Sequence, residues 1–231
     1  MSMFRILFAS LILIFSACGN EQTRVRNRQP LDTDTVPQQL NESFDLQVKK
    51  YEDPKRQNWQ DPKLVIEALG NLENKTIADI GSGTGYFAFQ LAVPAKKVIA
   101  IDIEQRFLNY IEDRKTEMYD KNLAAKIETR LTDPDDPKLV KDEVDIVLIV
   151  NTISFISNRE TYLAKVLNGL TVGGTVVVVD YKQGDMPVGP GEQLKLPQEV
   201  VARELRAAGF KIENIDGTSL QYQYLIKASK F

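Results

Sequence analysis

The run Asp79-Ile80-Gly81-Ser82-Gly83-Thr84-Gly85 holds the chain's densest group of residues able to meet a ligand. Glycine tolerates positive φ and lets a ligand approach the backbone closely. Glycines at alternate positions therefore predict a turn shaped around a bound molecule. Asp102 closes the next apolar run, Lys97 to Asp102, and a carboxylate there can accept both hydroxyls of a ribose. Such a loop and acid are shared with dinucleotide-binding folds, but two details separate the readings. A dinucleotide fingerprint needs a third Gly or Ala for close helix–strand packing, and Tyr86 stands there. Asp79 is poorly placed beside a pyrophosphate, whereas its carboxylate suits a ligand carrying an ammonium and a sulfonium. Asp79 could instead cap the following turn, although an acid ending a buried strand is costly without a partner.

What the chain lacks narrows the chemistry further. Its 231 residues include no His and one Cys. Ser-His-Asp and Cys-His nucleophile systems, an imidazole base and His-ligated metal are excluded. Intramolecular disulfides and thiolate zinc sites are excluded too, and no metal site is expected. A net charge of −3 offers no basic footprint for nucleic acid, so no such partner is expected. With 43% hydrophobic and 26% charged residues the composition is that of a globular domain.

The elements that must position these residues alternate. Asp61-Pro62 opens a helix with Leu64, Val65, Ala68 and Leu69 inward, ended by Gly70. Strands are expected at 76–80, 97–102, 125–130, 144–150 and 175–180, with helices at 84–92, about 104–120 and 197–208 between or after them. Ser157 and Glu160 form a capping-box pattern opening a further helix, and 211–217 and 221–227 read as closing strands. Strands separated by single helices make a mostly parallel sheet covered on both faces, whose ligands bind beyond the carboxyl ends of the strands. Residues after 80, 102, 130, 150 and 180 are thus the functional rim.

Over about 60–231 the chain resembles the class I S-adenosylmethionine-dependent methyltransferases. The resemblance rests on Ile77 to Gly85, Asp102, Leu131-Thr132-Asp133, Val144 to Leu148, Leu170 to Asp180 and Ala207-Ala208-Gly209-Phe210. It implies a Rossmann-like α/β fold, a seven-stranded sandwich with the last strand antiparallel, and S-adenosyl-L-methionine as cofactor. By position, Gly81, Ser82, Gly83 and Gly85 would wrap the methionine moiety and Asp102 would hold the ribose. Ile103 would pack on adenine, Asp133 would meet its exocyclic amine, and Asn151 would line the cofactor near the methyl group. Asp133 lies in Thr132-Asp133-Pro134-Asp135-Asp136-Pro137, where Asp and Pro also serve as ordinary turn residues. Trp59, Tyr86 and Phe155 read as packing residues.

The chain also looks like a group of small bacterial methyltransferases with the approach segment Tyr51-Glu52-Asp53-Pro54-Lys55-Arg56-Gln57-Asn58-Trp59 and the loop Pro187-Val188-Gly189-Pro190. That group carries an acid and two histidines after its fourth strand, where Asn151 to Phe155 stand here, and a further histidine matched by Leu194. A non-catalytic binder of S-adenosyl ligands is therefore the competing reading. Methyl transfer is an in-line displacement on an activated sulfonium, so positioning alone supplies much of the acceleration. No catalytic residue is assigned; Tyr86, Asp180, Tyr181 and Glu192 are the rim groups able to take a proton. The expected acceptor is a small molecule.

The first residues read as an address. Arg5 followed by the apolar run Ile6–Phe15 has the n- and h-regions of a secretory signal. Phe15-Ser16-Ala17-Cys18-Gly19 resembles a bacterial lipobox, which implies lipidation of Cys18. The expected organisation is a lipoprotein signal peptide at 1–17, a polar tether at 18–45 and the methyltransferase domain at 46–231. Acyl chains would hold the protein on a membrane surface of the cell envelope without spanning it; a mis-called start would leave it cytoplasmic. Export would place the domain where S-adenosylmethionine is scarce.

Overall fold

The computed structural model describes residues 43–231. The expected signal peptide, Cys18 and the tether up to residue 42 lie outside the described residues. No helix among the described residues is long and apolar enough to cross a membrane.

The apolar runs form seven strands: β1 (Thr76–Ile80), β2 (Lys97–Asp102), β3 (Ile127–Leu131), β4 (Val144–Val150), β5 (Leu170–Tyr181), β6 (Lys211–Asp216) and β7 (Gln223–Ser229). They pair in one sheet in the order β3-β2-β1-β4-β5-β7-β6. Pairs from β3 to β5 are parallel, and β7 runs antiparallel to both neighbours. This is the expected α/β arrangement, with a switch in strand order between β1 and β4.

Period-two alternation divides the core into two layers. Ile77, Val98, Ala100, Ile146, Leu148, Val177 and Val179 face one side. There they meet Val65 and Leu69 of helix α3 (Pro62–Leu69), Phe87 and Leu91 of α4 (Tyr86–Ala92), and Leu108 and Ile111 of α5 (Gln105–Glu117). Ala78, Ile99, Ile101, Val147, Ile149, Val176 and Val178 face the other. They meet Leu163 and Val166 of α7 (Arg159–Gly169) and Val201 and Leu205 of α8 (Gln198–Ala207). Each such fully buried aliphatic side chain contributes roughly 1.5–3 kcal/mol relative to exposure, so the central strands form a rigid floor for the rim.

Ahead of α3 lie two further helices, α1 (Phe44–Tyr51) and α2 (Gln57–Gln60), joined through a 3₁₀ turn at Pro54–Arg56. A last short helix, α6 (Lys121–Ala125), follows α5.

Four local expectations shift. The capping box does not form: α7 starts at Arg159 with Asn158 as N-cap and no side-chain cap bond. Arg159 instead binds the Ile156 carbonyl and Glu204 of α8, which leaves Glu160 at the second helical position. The helix expected to reach about 120 stops at Glu117, because the Asp120 side chain accepts the Asn122 and Leu123 N–H groups and starts α6. Strand β5 begins at Leu170, ahead of the Gly173-Gly174 pair; pairing skips from Leu170 to Thr175, with Gly173 at φ +75°. Helix α1 takes in Phe44 and Asp45, two residues expected in the tether.

Candidate functional site

The β1–α4 turn is built as its glycines require. Gly81, Gly83 and Gly85 have φ of +74°, +52° and +81°, values that residues with a Cβ seldom adopt. Gly81 and Ser82 both donate their N–H to the Ile101 carbonyl at 2.8 and 3.0 Å, which ties the loop to the end of β2. A Cβ on Gly81 would collide with Thr152 Oγ1, and one on Gly85 would fall 2.9 Å from the Phe89 ring. Thr152 is held there by donating to the Val150 carbonyl at 2.9 Å.

Asp102 is buried at the end of β2. Its Oδ2 accepts the Gly83 N–H at 2.8 Å and its Oδ1 the Glu104 N–H at 2.9 Å. The acid thus shapes the loop, and each oxygen keeps a second lone pair for a ligand. Burial pushes its pKa up, opposed by those backbone donors. Asp79 lies at the end of β1 at 3% exposure, with no hydrogen-bond partner for Oδ2. Burial raises its pKa to about 7; the Arg56 charge works against that shift and Asp102 adds to it.

The other predicted residues are less uniformly gathered. Ile103 follows β2 at 57% exposure and offers an open apolar face. Asn151, at the end of β4, adopts φ +56° and accepts from the Gln223 amide. Asp133 stands apart in the turn after β3, ion-paired with Lys138 at 3.1 Å; the buried residue there is Thr132. Trp59 packs on Tyr181 with ring centroids 5.8 Å apart. Tyr86 packs against the core and on Phe87, as expected, and carries a buried hydroxyl without a partner; the packing expectation needs correction at Phe155, which is 40% exposed.

Of the rim groups able to take a proton, Glu192 is committed to loop structure, accepting the Gly184 N–H at 3.0 Å and pairing with Lys195. Asp180 is buried at the end of β5 and accepts the Tyr181 N–H at 2.7 Å and the Ser154 N–H at 3.3 Å. Burial brings its pKa to about 6.

The sequence reading gave no role to Arg56 and Gln60, nor to the contacts that close the N-terminal helices onto the loop. Tyr51 lies against Gly83, and Glu52 pairs with Arg114 of α5 at 3.1 Å. Arg114 also donates to the Thr84 carbonyl. Arg56 stacks over Tyr86, 4.1 Å from its centroid. The available signal was an Arg and a Gln four apart, which share a helical face.

Buried side-chain polar atoms without partners are rare because each carries a desolvation cost. Here they are Gln60 Nε2, Asp79 Oδ2, Ser82 Oγ, Thr84 Oγ1, Tyr86 OH, Ser154 Oγ, Gln223 Oε1 and Tyr224 OH. Apart from Gln60, on α2, those found among the described residues belong to the end of β1 and the loop and helix start after it, the segment after β4, and the start of antiparallel β7, whose Gln223 and Tyr224 pair with Tyr181 and Asp180. Hydroxyls, one carboxylate and amides at one edge fit a ligand with an amino acid and a ribose.

The profile of a family described as a methyltransferase domain matches residues 71–226. The ribosomal RNA small subunit methyltransferase A of Acidobacterium capsulatum is 24% identical over 57% of this chain and 45% of its own length. That of Staphylococcus carnosus is 24% identical over 69% of this chain and 54% of its own. The chain thus spans about half the length of these curated relatives. Among solved structures, an S-adenosylmethionine-dependent methyltransferase from Aquifex aeolicus superposes with a TM-score of 0.74 at 21% identity, covering 82% of this chain and 100% of that one; it shares the fold.

Proposed function

Because this chain belongs to the methyltransferase-domain family, we propose that it transfers the methyl group of S-adenosylmethionine to a small-molecule acceptor. The chain is a methyltransferase, and S-adenosylmethionine is its methyl donor. The observation that carries the reading to this site is the group of unpartnered buried polar atoms that gathers at the carboxyl ends of β1 and β4 and the start of β7. When bound, the donor supplies a methyl carbon on cationic sulfur, open to in-line displacement.

In this reading the residues divide the work. Gly81, Ser82, Gly83 and Gly85 hold the methionine part and Asp79 faces its ammonium. Asp102 accepts from the ribose and Ile103 covers one face of the adenine. Asp133 reaches the adenine amine by giving up Lys138, and Asn151 lines the methyl end. Asp180, beside the unpartnered Ser154 hydroxyl, is the acid best placed to take a proton from an acceptor.

Calorimetric titration of the chain with S-adenosylmethionine, S-adenosylhomocysteine and NAD is expected to show binding of the first two alone. Binding of none overturns the site, and preference for NAD overturns the cofactor. The curated relatives are named for ribosomal RNA, yet a net charge of −3 gives this chain no general attraction to a polyanion. Labelled methyl groups should therefore enter small acceptors and not a small-subunit RNA transcript; incorporation into the RNA would reverse that choice.

The domain boundaries and location belong to the same proposal. Cys18 is taken as the lipid attachment point of an envelope lipoprotein, with 18–45 as tether. Cells fed a palmitate analogue should label the chain and leave Cys18→Ser unlabelled; label retained on Cys18→Ser excludes the anchor.

A further inference from the structure

The ends of β4 and β5 and the start of β7 gather a second set of polar groups, separate from the glycine loop and Asp102. Asp180 is 1% exposed and forms no ion pair among the described residues; its carboxylate accepts two backbone N–H groups, those of Tyr181 and Ser154. Tyr224 stands opposite Asp180 across the β5–β7 pair, so both side chains leave the sheet on the α7 and α8 side. The Tyr224 hydroxyl is buried without a hydrogen-bond partner, and so is Ser154 Oγ in the turn Ile153–Phe155. The field at this corner is negative. Burial and then Asp180 push the Tyr224 pKa up, Arg159 works against them, and Glu204 and Glu199 add to the rise. Arg159, the cation of this group, is tied to Glu204 at 2.6 and 3.0 Å and to the Ile156 carbonyl. Asn151 joins the corner to the methyl end: its N–H donates at 2.8 Å to the carbonyl of Val179, the residue before Asp180.

A buried anion without a cation, set beside unpartnered hydroxyl oxygens, suits a ligand that brings positive charge and several N–H donors. Other acceptors fit worse. An aliphatic alcohol is far too weak an acid to match a carboxylate base. A phenol would become a phenolate among three carboxylates, with no free cation to stabilise it. An ammonium differs on both counts. Burial that raises the pKa of a carboxyl lowers that of an amine, so the two approach each other in a dry site.

We infer that Asp180, Ser154 and Tyr224 form the site of the methyl acceptor, and that the acceptor is a small primary amine. This rests on the methyl-transfer reading above and adds the acceptor's class to it. The amine enters as its ammonium, with Asp180, Ser154 Oγ and Tyr224 OH accepting its N–H groups. Asp180 takes one proton and becomes neutral. The freed nitrogen lone pair forms the bond to the methyl carbon while the carbon–sulfur bond breaks, and the electron pair of that bond stays on sulfur. The products are S-adenosylhomocysteine and the N-methylated ammonium; Asp180 returns its proton to water as they leave. Phe155, exposed beside Ser154, offers its ring to the carbon part of the amine.

The test gives the full chain S-adenosylmethionine labelled in its methyl group, with benzylamine and butylamine set against benzyl alcohol, butanol and p-cresol. The two amines are expected to take up label at least about a hundredfold faster than the other three, because a site built to bond N–H groups rejects analogues lacking them. Asp180→Asn should lower kcat for benzylamine at least about a hundredfold, as loss of a general base does, and Asp180→Glu should recover part of it. Tyr224→Phe and Ser154→Ala should each raise KM for benzylamine about fivefold, the worth of one hydrogen bond, with kcat little changed. Calorimetry should find the S-adenosylhomocysteine affinity of all four variants close to wild type. Label entering an alcohol or the cresol as fast as the amines, or entering neither amine, overturns the inference and leaves the donor site standing. Wild-type turnover in Asp180→Asn overturns it as well, as does a loss of S-adenosylhomocysteine affinity that parallels the loss of turnover. Wild type that does not bind S-adenosylhomocysteine overturns the donor reading, and the inference with it. Should Asp180→Asn fail to fold by circular dichroism, the KM shifts of Tyr224→Phe and Ser154→Ala decide.

Discussion

Asp102→Ala is expected to lower affinity for S-adenosylhomocysteine by about a hundredfold or more, read by calorimetry on a variant with wild-type circular dichroism. The size follows from the two tasks the carboxylate performs. It accepts the Gly83 and Glu104 N–H groups at 2.8 and 2.9 Å, and bonds to a charged acceptor are each worth roughly 1.5–3 kcal/mol. Alanine strands both donors in a buried place and frees the loop to leave its positive-φ path. The same change removes the acceptor for the ribose hydroxyls, so loop shape and direct contact are lost together. Asp102→Asn offers one carbonyl oxygen where the loop asks for two acceptors, and turns an amide N–H₂ toward a donor. Its loss should therefore approach that of alanine. Affinity within threefold of wild type for Asp102→Ala would mean that the ribose is held elsewhere and that Gly83 keeps its course unaided.

How far the site could be read from sequence depends on how local each constraint is. The strands β1, β2 and β4 lie where their β-branched runs place them, since burial on both faces leaves the chain no other apolar surface to use. The glycine loop and Asp102 were legible for a similar reason: a positive-φ turn and the acid ending a neighbouring parallel strand are short-range consequences of the α/β plan. Helix α7 was misjudged at its start because Arg159 found Glu204, far away in α8, a better use for its side chain than a local cap. Asp133 stands in a turn sequence that suits either a ligand contact or ordinary turn structure, and its pairing with Lys138 was not legible from that sequence. The Asn151–Gln223 bond spans 72 positions, and Arg56 meets Tyr86 only because the segment ahead of α3 folds back onto the start of α4. No periodicity encodes such meetings. The absence of histidine bore on the reaction class, but not on where the compensating polar groups gather.

Asp79→Asn is expected to abolish the pH dependence of cofactor binding. In the folded protein the Asp79 carboxyl titrates at about 7, chiefly because it is buried, against an ordinary value of 3.8. Between those values the folded chain holds a proton that the unfolded chain has released, so this group's contribution to stability falls as pH rises from about 4 to about 7 and is constant above. A cationic ligand reverses the preference, since it favours the carboxylate. Binding below about pH 7 must then expel the proton, and affinity should climb by up to about tenfold per pH unit until the plateau. The Asn variant has no proton to expel. It should bind weakly at all pH values, match wild type best near pH 5.5, fall furthest behind near pH 8, and melt higher than wild type at pH 8. Asp180 titrates at about 6 in the same rim, which makes Asp180→Asn the control. If the slope survives in Asp79→Asn and vanishes in Asp180→Asn, the cation faces β5 rather than the end of β1.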